Sequence, residues 1–149
     1  MKKIINVDMD NVLVDFASGI ARLPPKVVEE YEDRLDEVDG LFSLMDPMPG
    51  AKEGYEQLAE RFDTYVLSTS PWENPSAWSD KLLWIKEHIG TSAYKRLILS
   101  HHKNLNKGDF LIDDRLKNGV DGFGGEHIHF GSERFPDWPT VIDYLISHT

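Results

Sequence analysis

The chain has 149 residues and no cysteine, and its formal net charge at pH 7 is −10. This length suits one domain with a buried core, and the lack of cysteine excludes disulfides, thiolate metal sites and cysteine nucleophiles. The negative charge argues against binding of long nucleic acid but not of a small phosphorylated ligand. No apolar run approaches the ~20 residues of a membrane span. The N-terminus also lacks the apolar core of a signal peptide, so we expect a cytoplasmic protein.

The first predicted element is a short buried strand that ends in two aspartates. Residues 4–7 are mostly apolar and β-branched, which predicts a strand. Asp8 and Asp10 follow it, and a carboxylate there is costly unless a metal, a hydrogen-bond network or a substrate meets it. An EF-hand calcium loop is excluded, because Leu13 and Gly19 stand where that loop needs Gly and Glu. A solvated turn is the plainer alternative for this pair taken alone.

The next segment, residues 17–46, shows no pattern typical of a strand. Pro24-Pro25 can start a helix, since proline suits the first turn, and apolar residues then recur at helical spacing. These residues are Val27, Val28, Tyr31, Leu35 and Val38. We expect a small helical cap here, inserted into a core formed by residues 1–16 and 47–149. A turn at residues 47–50 would lead back from the cap to the core.

The remainder of the chain alternates between helical and strand patterns. Helices are predicted over residues 51–62, 76–90 and 139–146, and strands over residues 64–68, 97–99, 110–112 and 127–130. Gly90 stands where a helix C-terminus favours glycine. This alternation implies βαβ units, and therefore an α/β fold with a five-stranded parallel sheet flanked by helices.

Polar side chains recur at the carboxyl ends of the predicted strands. Thr69 and Ser70 follow the second strand, Lys103 lies in the loop before the fourth, and Asp113 and Asp114 follow the fourth. In open α/β sheets these ends form the ligand-binding edge. Two adjacent acids repel each other without a partner. We therefore expect this set to converge with the first pair of aspartates in one site.

This set of side chains matches the needs of phosphoryl transfer. One carboxylate can attack phosphorus to form an aspartyl-phosphate, and a second can protonate the leaving oxygen and then deprotonate water. Mg²⁺ takes oxygen ligands from carboxylates and phosphate. A threonine hydroxyl and a lysine ammonium can hold the phosphoryl oxygens, where charge accumulates in the transition state.

The order of these motifs resembles the haloacid dehalogenase (HAD) superfamily of phosphotransferases. Its four motifs are matched by Asp8-Met9-Asp10-Asn11-Val12, Val66-Leu67-Ser68-Thr69, Lys103 and Leu111-Ile112-Asp113-Asp114. Within that superfamily the chain looks like the 5′(3′)-deoxyribonucleotidases. That closer resemblance is carried by Asp15-Phe16, Ser70-Pro71, Arg115, Pro47-x-Pro49-Gly50-Ala51 and Trp84. It extends from residue 4 to about residue 117.

The resemblance implies an HAD-like Rossmannoid core and a Mg²⁺-dependent phosphomonoesterase acting on (deoxy)nucleoside 5′(3′)-monophosphates. Asp8 would be the nucleophile, and Asp10 the general acid and base. The metal would be bound by the Asp8 carboxylate, the Asp10 backbone carbonyl and Asp114, with Asp113 in support.

The resemblance also implies contacts to the rest of the substrate. Thr69, Ser70 and Lys103 would hold the phosphate. A cap placed directly after the catalytic loop could fold over the site and carry substrate choice. Phe16 and Phe42 are the candidate contacts to a nucleobase, because aromatic faces suit a base and Phe42 is expected in a loop.

Two departures from the family pattern stand beside the match. The family usually has Gly where this chain has Asn11, although Asn tolerates the left-handed conformation better than most residues. His101 and His102 replace an Arg-Asp pair. The sequence assigns no role to His127 and His129, which share one face of the last strand.

Several alternatives stay open at this point. The same chemistry could act on another small phosphomonoester, and the base, the sugar and the preference for the 5′ or 3′ position are not determined. A signalling receiver domain also combines acids, Thr or Ser and Lys, but its Lys comes last, whereas Lys103 precedes the acidic pair. A silent phosphate-binding protein is a third class. A homodimer is compatible with the sequence, and the function of residues 118–149 is open.

Overall fold

The computed structural model describes residues 1–149 and contains seven strands and five helices. The strands are β1 (Ile4–Val7), β2 (Val14–Asp15), β3 (Asp46–Pro47), β4 (Asp63–Ser68), β5 (Leu97–Leu99), β6 (Phe110–Asp113) and β7 (Glu126–His129). The helices are α1 (Phe16–Ile20), α2 (Pro25–Glu30), α3 (Ala51–Arg61), α4 (Pro75–His88) and α5 (Trp138–Ile146). The longest helix, α4, has 14 residues, and none is long and apolar enough to cross a membrane.

Five strands form one parallel sheet in the order β5-β4-β1-β6-β7, which confirms the predicted α/β fold. Numbered along the chain, that order is 3-2-1-4-5. It is the order of a Rossmann-type half, and ligands bind where such an order reverses, here between β1 and β6. Receiver domains have the order 2-1-3-4-5, so the receiver alternative is wrong.

The register between β1 and β6 brings the acidic motifs to the same level. Val7 pairs with Ile112, and the Asp8 backbone N–H donates to the Ile112 carbonyl at 2.9 Å. Residues 5–7 and 110–112 are buried, as expected for strands covered on both faces. The first polar residues after both buried runs, Asp8 and Asp113, therefore emerge side by side.

The two faces of the sheet are covered differently. One large apolar cluster joins side chains of β1, β4 and β6 to those of α3, α4 and α5. On the other face, Leu67 and Leu111 pack with Val120 and Phe123, which belong to or adjoin a single 3-10 turn. The three long helices thus support the strands from one side and leave the carboxyl edge of the sheet free for a site.

Most predicted elements lie within two residues of the observed bounds. Gly90 directly follows Ile89, the residue that ends α4, and has a left-handed φ of +80°. This is the glycine at the helix C-terminus that the sequence predicts. The prediction of one helical pattern running on to Val38 is wrong, because α2 ends at Glu30 and a separate 3-10 turn follows at Leu35–Glu37. The acidic run at residues 29–33 explains the early end, since like charges three and four residues apart destabilise a helix.

The base of residues 17–46 is closed by a small ribbon that the sequence did not reveal. β2 pairs with β3 in antiparallel fashion through Val14–Pro47 and Asp15–Asp46. Arg22 spans the same place, with bonds to the Leu44 carbonyl at 2.8 Å and to the Asp46 carboxylate at 2.7 Å. Two-residue strands carry too little periodicity to be recognised from sequence.

Candidate active site

The carboxyl ends of β1 and β6 bring three carboxylates together. One oxygen from each of Asp8, Asp113 and Asp114 lies within 4.8 Å of the others. Asp8 is 5% exposed and Asp113 is 2% exposed. Three acids so close and so buried need positive charge nearby, because each raises the free energy of ionising the next.

Lys103 supplies one of those positive charges. Its ammonium lies 3.0 Å from Asp8 Oδ1 and 2.6 Å from Asp113 Oδ2, and the residue is 3% exposed. Burial alone would lower the pKa of Lys103, but the charges of Asp8 and Asp113 outweigh it and raise that pKa. Lys107, the next lysine along the chain, is exposed.

The two acids of the pair after β6 have different surroundings. Asp113 uses both oxygens, since Oδ1 accepts the Arg115 backbone N–H at 3.0 Å and Oδ2 accepts from Lys103. Asp114 Oδ1 is buried without a hydrogen-bond partner. Burial and the charge of Asp8 raise the pKa of Asp113 to about 7 and that of Asp114 to about 6. An unpartnered oxygen in an acid-rich cluster suits a hard cation, which prefers oxygen ligands.

Asp10 is separate from that cluster and lines the neighbouring cavity. Burial raises the pKa of Asp10, the charge of Lys81 opposes this, and the charge of Asp8 adds to it. A carboxyl with a raised pKa is suited to donate a proton. In the turn after Asp10, Asn11 adopts a left-handed φ of +63°. Asparagine tolerates this conformation, so it takes the place of the family's usual glycine, as expected.

Lys81 is a buried cation of the site that sequence reasoning missed. It is 0% exposed, and its ammonium donates to Ser68 Oγ at 2.7 Å and to the Thr69 carbonyl at 2.8 Å. It also lies 3.4 Å from Asp10 Oδ2. A signal was present, because Lys81 falls in the middle of the buried face of α4. The other buried residues of that helix are Ala77, Trp84 and Ile85, at spacings that place them on one side of a helix.

The two hydroxyl residues after β4 also differ. Thr69 lines the cavity, and its hydroxyl donates to the Ser100 carbonyl at 2.7 Å. Ser70 is fully buried, its Oγ has no hydrogen-bond partner, and it is not a lining residue of the cavity. Thr69 is therefore the more accessible of the two for a phosphate oxygen.

A cavity of about 700 Å³ lies beside Asp10 and Thr69. Residues of the segment 17–46 form part of its wall together with loops at the carboxyl edge of the sheet. The further lining residues are Asn11, Phe16, Glu32, Asp33, Leu35, Asp36, Pro71, Trp72, His101, Arg115, Lys117 and Asn118. Sequence reasoning missed most of this wall, because its members come from loops without periodicity.

The expectation that Phe42 lies open in a loop is wrong. Phe42 is 2% exposed, belongs to a 3-10 turn at Leu41–Ser43 and is not a lining residue of the cavity. Its ring packs edge-on against Phe16 at 5.9 Å, and the Lys81 ammonium lies 4.9 Å from its centre. Apolar burial draws this side chain inward. Phe16 lines the cavity and is the aromatic candidate for substrate contact.

Comparison with known proteins places the chain in a family. The family model described as "5' nucleotidase, deoxy (Pyrimidine), cytosolic type C protein" matches residues 34–135. A protein of Vibrio phage KVP40, named "Putative 5'(3')-deoxyribonucleotidase", is 57% identical over 98% of this chain and 86% of its own length. A Staphylococcus aureus protein of the same name is 28% identical over 99% of this chain and 97% of its own length.

Solved structures agree on the fold. A HAD-superfamily hydrolase of subfamily IA from Geobacter sulfurreducens has a TM-score of 0.64 at 14% identity, covering 97% of this chain and 100% of its own. A "putative HAD-hydrolase" from Bacillus subtilis, solved bound to magnesium, has a TM-score of 0.67 at 11% identity, covering 97% and 98%. The fold is HAD-like, the enzyme class is that of a phosphatase, and the chain belongs to the deoxyribonucleotidase family described by that model.

Proposed function

We propose that this protein hydrolyses (deoxy)nucleoside 5′(3′)-monophosphates in a Mg²⁺-dependent reaction that passes through an aspartyl-phosphate at Asp8. The observation that carries the proposal is the convergence of Asp8, Lys103, Asp113 and Asp114 at the ends of β1 and β6. The names of the relatives support the substrate class. The magnesium in the Bacillus subtilis relative supports the metal.

The oxygen donors at the strand ends fit Mg²⁺. We assign the Asp8 carboxylate, the Asp10 backbone carbonyl and Asp114 as its ligands, since Asp114 Oδ1 has no protein partner. When bound, the ion neutralises charge on the phosphoryl oxygens. Asp113 supports the site by holding Lys103, because both of its own oxygens are already engaged.

The proposed reaction has two halves. In the first, an Asp8 oxygen bonds to phosphorus, the bond from phosphorus to the nucleoside oxygen breaks, and Asp10 gives that oxygen its proton. In the second, Asp10 removes a proton from water, the water oxygen bonds to phosphorus, and the bond to Asp8 breaks to release phosphate. Burial raises the pKa of Asp10, which favours the protonated form that the first half requires.

Lys103, Thr69 and Ser70 are the proposed ligands of the phosphoryl oxygens. Lys103 is already within 3.0 Å of Asp8 Oδ1, so its charge lies next to the attacked phosphorus. Thr69 is accessible from the cavity, and the buried hydroxyl of Ser70 has no protein partner. Lys81 acts behind these ligands by holding Asp10, the Ser68 hydroxyl and the Thr69 carbonyl.

We also propose that residues 17–46 form a cap that shapes the substrate cavity, with Phe16 beside the base. A volume of about 700 Å³ falls within the range of small-molecule sites. Phe42 supports Phe16 from beneath through their edge-on contact. Because the family description is cytosolic, we propose the cytosolic nucleotide pool as the substrate source. All proposed site residues come from one chain, so the site itself does not require a second copy. The homodimer stays a prediction.

A panel of phosphomonoesters tests the proposal. Released phosphate is measured for deoxynucleoside and ribonucleoside 5′- and 3′-monophosphates and for small sugar and alkyl phosphates, with Mg²⁺ and with excess chelator. We expect the highest kcat/KM on nucleoside monophosphates, no turnover in chelator, and recovery when Mg²⁺ is restored. Full activity in chelator would overturn the metal assignment, and faster turnover of the small esters would overturn the substrate assignment.

A second candidate keeps the same chemistry on another small phosphomonoester. The burial of Phe42 favours it, because that burial removes one of the two predicted contacts to a base and leaves Phe16 and Trp72 as the aromatic side chains in the wall of the cavity, apart from the His101 ring. The cap side of that wall carries Glu32, Asp33 and Asp36, which can accept hydrogen bonds from hydroxyl groups as well as from a base. The same panel separates the two candidates.

A further inference from the structure

Two histidines of β7 reach across to the acidic loop that follows β6. His127 Nε2 lies 2.9 Å from the carbonyl oxygen of Asp113, and His129 Nε2 lies 2.9 Å from that of Asp114. The two side chains are two residues apart on one strand, so they project from the same face of the sheet. Their rings stack at 5.3 Å with 22° between planes. The result is a pair of parallel contacts onto two consecutive carbonyl groups.

These contacts require a proton on the Nε2 atom of both rings. A backbone carbonyl only accepts hydrogen bonds, so each Nε2 must carry the proton and donate it. A neutral imidazole protonated at Nε2 is enough for this purpose. The interaction therefore needs only a hydrogen bond to the backbone and does not require a charged ring.

The histidine contacts lie where the backbone pairing of β6 with β7 ends. The register of β6 with β7 ends at the pair Asp113–His129, and the Phe130 backbone N–H then donates to the Asp113 carbonyl at 3.1 Å. The Asp114 carbonyl lies one residue beyond that last contact, and His129 meets it with a side chain. His127 adds a second donor to the Asp113 carbonyl. Together they extend the ladder over both acids.

The carboxylates at the ends of β1 and β6 repel one another. Asp8, Asp113 and Asp114 lie within 4.8 Å of one another, and their mutual repulsion favours a swing of the loop away from β1. Two side-chain hydrogen bonds to the backbone oppose such a swing without occupying any carboxylate oxygen. Groups of this kind, which orient the ligands of a metal, typically change its affinity by about 10- to 100-fold.

We propose that His127 and His129 are positioning residues that clamp the backbone of the acidic loop and so preorganise Asp114 for Mg²⁺. This inference rests on the metal site in the proposed function. The clamp sets metal affinity and takes no part in the chemical steps. Its loss should therefore weaken metal binding while leaving turnover at saturating metal largely unchanged.

The test compares His127→Phe, His129→Phe and the double variant with His→Gln at each position. Phenylalanine keeps a stacked ring without the donor, whereas glutamine keeps an amide donor. His88→Phe is the matched control, since His88 stacks on Trp84 in α4 away from the loop. The readouts are the Mg²⁺ dissociation constant by calorimetry, the rise in Tm caused by Mg²⁺, and kcat and KM at saturating Mg²⁺.

We expect each Phe variant to bind Mg²⁺ about 10-fold more weakly and the double variant about 100-fold more weakly. The Mg²⁺-induced rise in Tm should shrink in parallel, whereas KM and saturated kcat stay within about threefold. Glutamine should restore most of the affinity. If the double variant loses its circular dichroism signature, the single variants decide, because each keeps one of the two contacts.

Two results would overturn the clamp alone. One is an unchanged Mg²⁺ affinity in the folded Phe variants while Asp114→Asn loses binding, which would leave the proposed function intact. The other is equal loss in the Gln and Phe variants, which would show that ring packing matters and not the donor. A wild-type protein that binds no Mg²⁺ by calorimetry would overturn the clamp and the proposed metal site together.

Discussion

The acidic edge of the sheet and the segment of residues 17–46 border the same region of the protein, and they are built differently. At the edge, Asp8, Lys103 and Asp113 are each at most 5% exposed, and Lys103 binds both carboxylates directly. In the segment, α2 contains no buried residue, and the connection to the core depends on a few apolar side chains of the following turns. Those side chains are Val38, Leu41, Phe42 and Met45.

In the proposed function, the edge carries the chemical steps and the segment carries substrate choice. The edge inherits its geometry from the register of β1 with β6, so one misplaced residue would disturb every reacting group. The segment 17–46 can change its exposed residues at little cost to the core, because surface substitutions usually alter stability by less than about 0.5 kcal/mol. We therefore expect catalytic defects from the edge and specificity defects from the segment.

The largest effect should come from the proposed nucleophile at the edge. In the proposed reaction Asp8→Asn removes the oxygen that attacks phosphorus, so kcat should fall on the order of 10⁴-fold or more. The measurement is phosphate release from a nucleoside monophosphate, with circular dichroism as the check on folding. A folded variant that retains more than a few per cent of wild-type turnover would show that Asp8 is not the nucleophile.

The next effect concerns Lys81, which joins the edge to the helix behind it. Lys81→Met removes the donor to Ser68 Oγ and the Thr69 carbonyl and the charge beside Asp10. We expect kcat on a nucleoside monophosphate to fall about 100-fold, with a smaller loss on an activated aryl phosphate, which needs less proton donation. Lys86→Met, on the exposed side of α4, serves as the control. Equal losses on both substrates would contradict a role through Asp10.

Phe16, which lines the cavity, and Phe42, which is buried in the segment, should give opposite results. Phe16→Ala exposes the cavity wall and should raise KM for a nucleoside monophosphate about 10-fold while sparing a small phosphate ester, because an aromatic contact to the base is lost. Phe42→Ala creates a cavity in the core and should cost about 3–5 kcal/mol of stability. Kinetics on the two substrates and urea unfolding measure these effects. Identical KM changes on both substrates in Phe16→Ala would mean that Phe16 does not contact the base.

The smallest effect should come from the base of the segment. Arg22→Met breaks the ion pair with Asp46, in which the Arg22 side chain is 47% exposed and the Asp46 side chain 56% exposed. The free energy of unfolding should therefore fall by less than about 1 kcal/mol, and by less at high salt. Urea unfolding at low and high salt provides the measurement. A loss of several kcal/mol would instead make this pair a principal attachment of the segment to the core.

The strand ends were predictable from sequence because local composition determines them. Runs such as residues 4–7 and 110–112 are apolar and stop at aspartate, and parallel strands must then bring Asp8 and Asp113 to one edge. The order of the motifs likewise indicated Lys103 rather than Lys107, and the structure places Lys103 against both carboxylates. These predictions need only chain order and the alternation of elements.

Other features depended on contacts between residues distant in sequence. Nothing local distinguished the half-buried Phe16, which lines the cavity, from the buried Phe42. Lys81 lies 71 residues from Asp10 along the chain. His129, on β7, contacts the carbonyl oxygen of Asp114, which follows the neighbouring strand β6. Sequence by itself determined which residue types stand at each strand end. Tertiary structure alone decided which buried donors meet them, because hydrogen bonds of that kind depend on packing across the fold and leave no periodic trace in the chain.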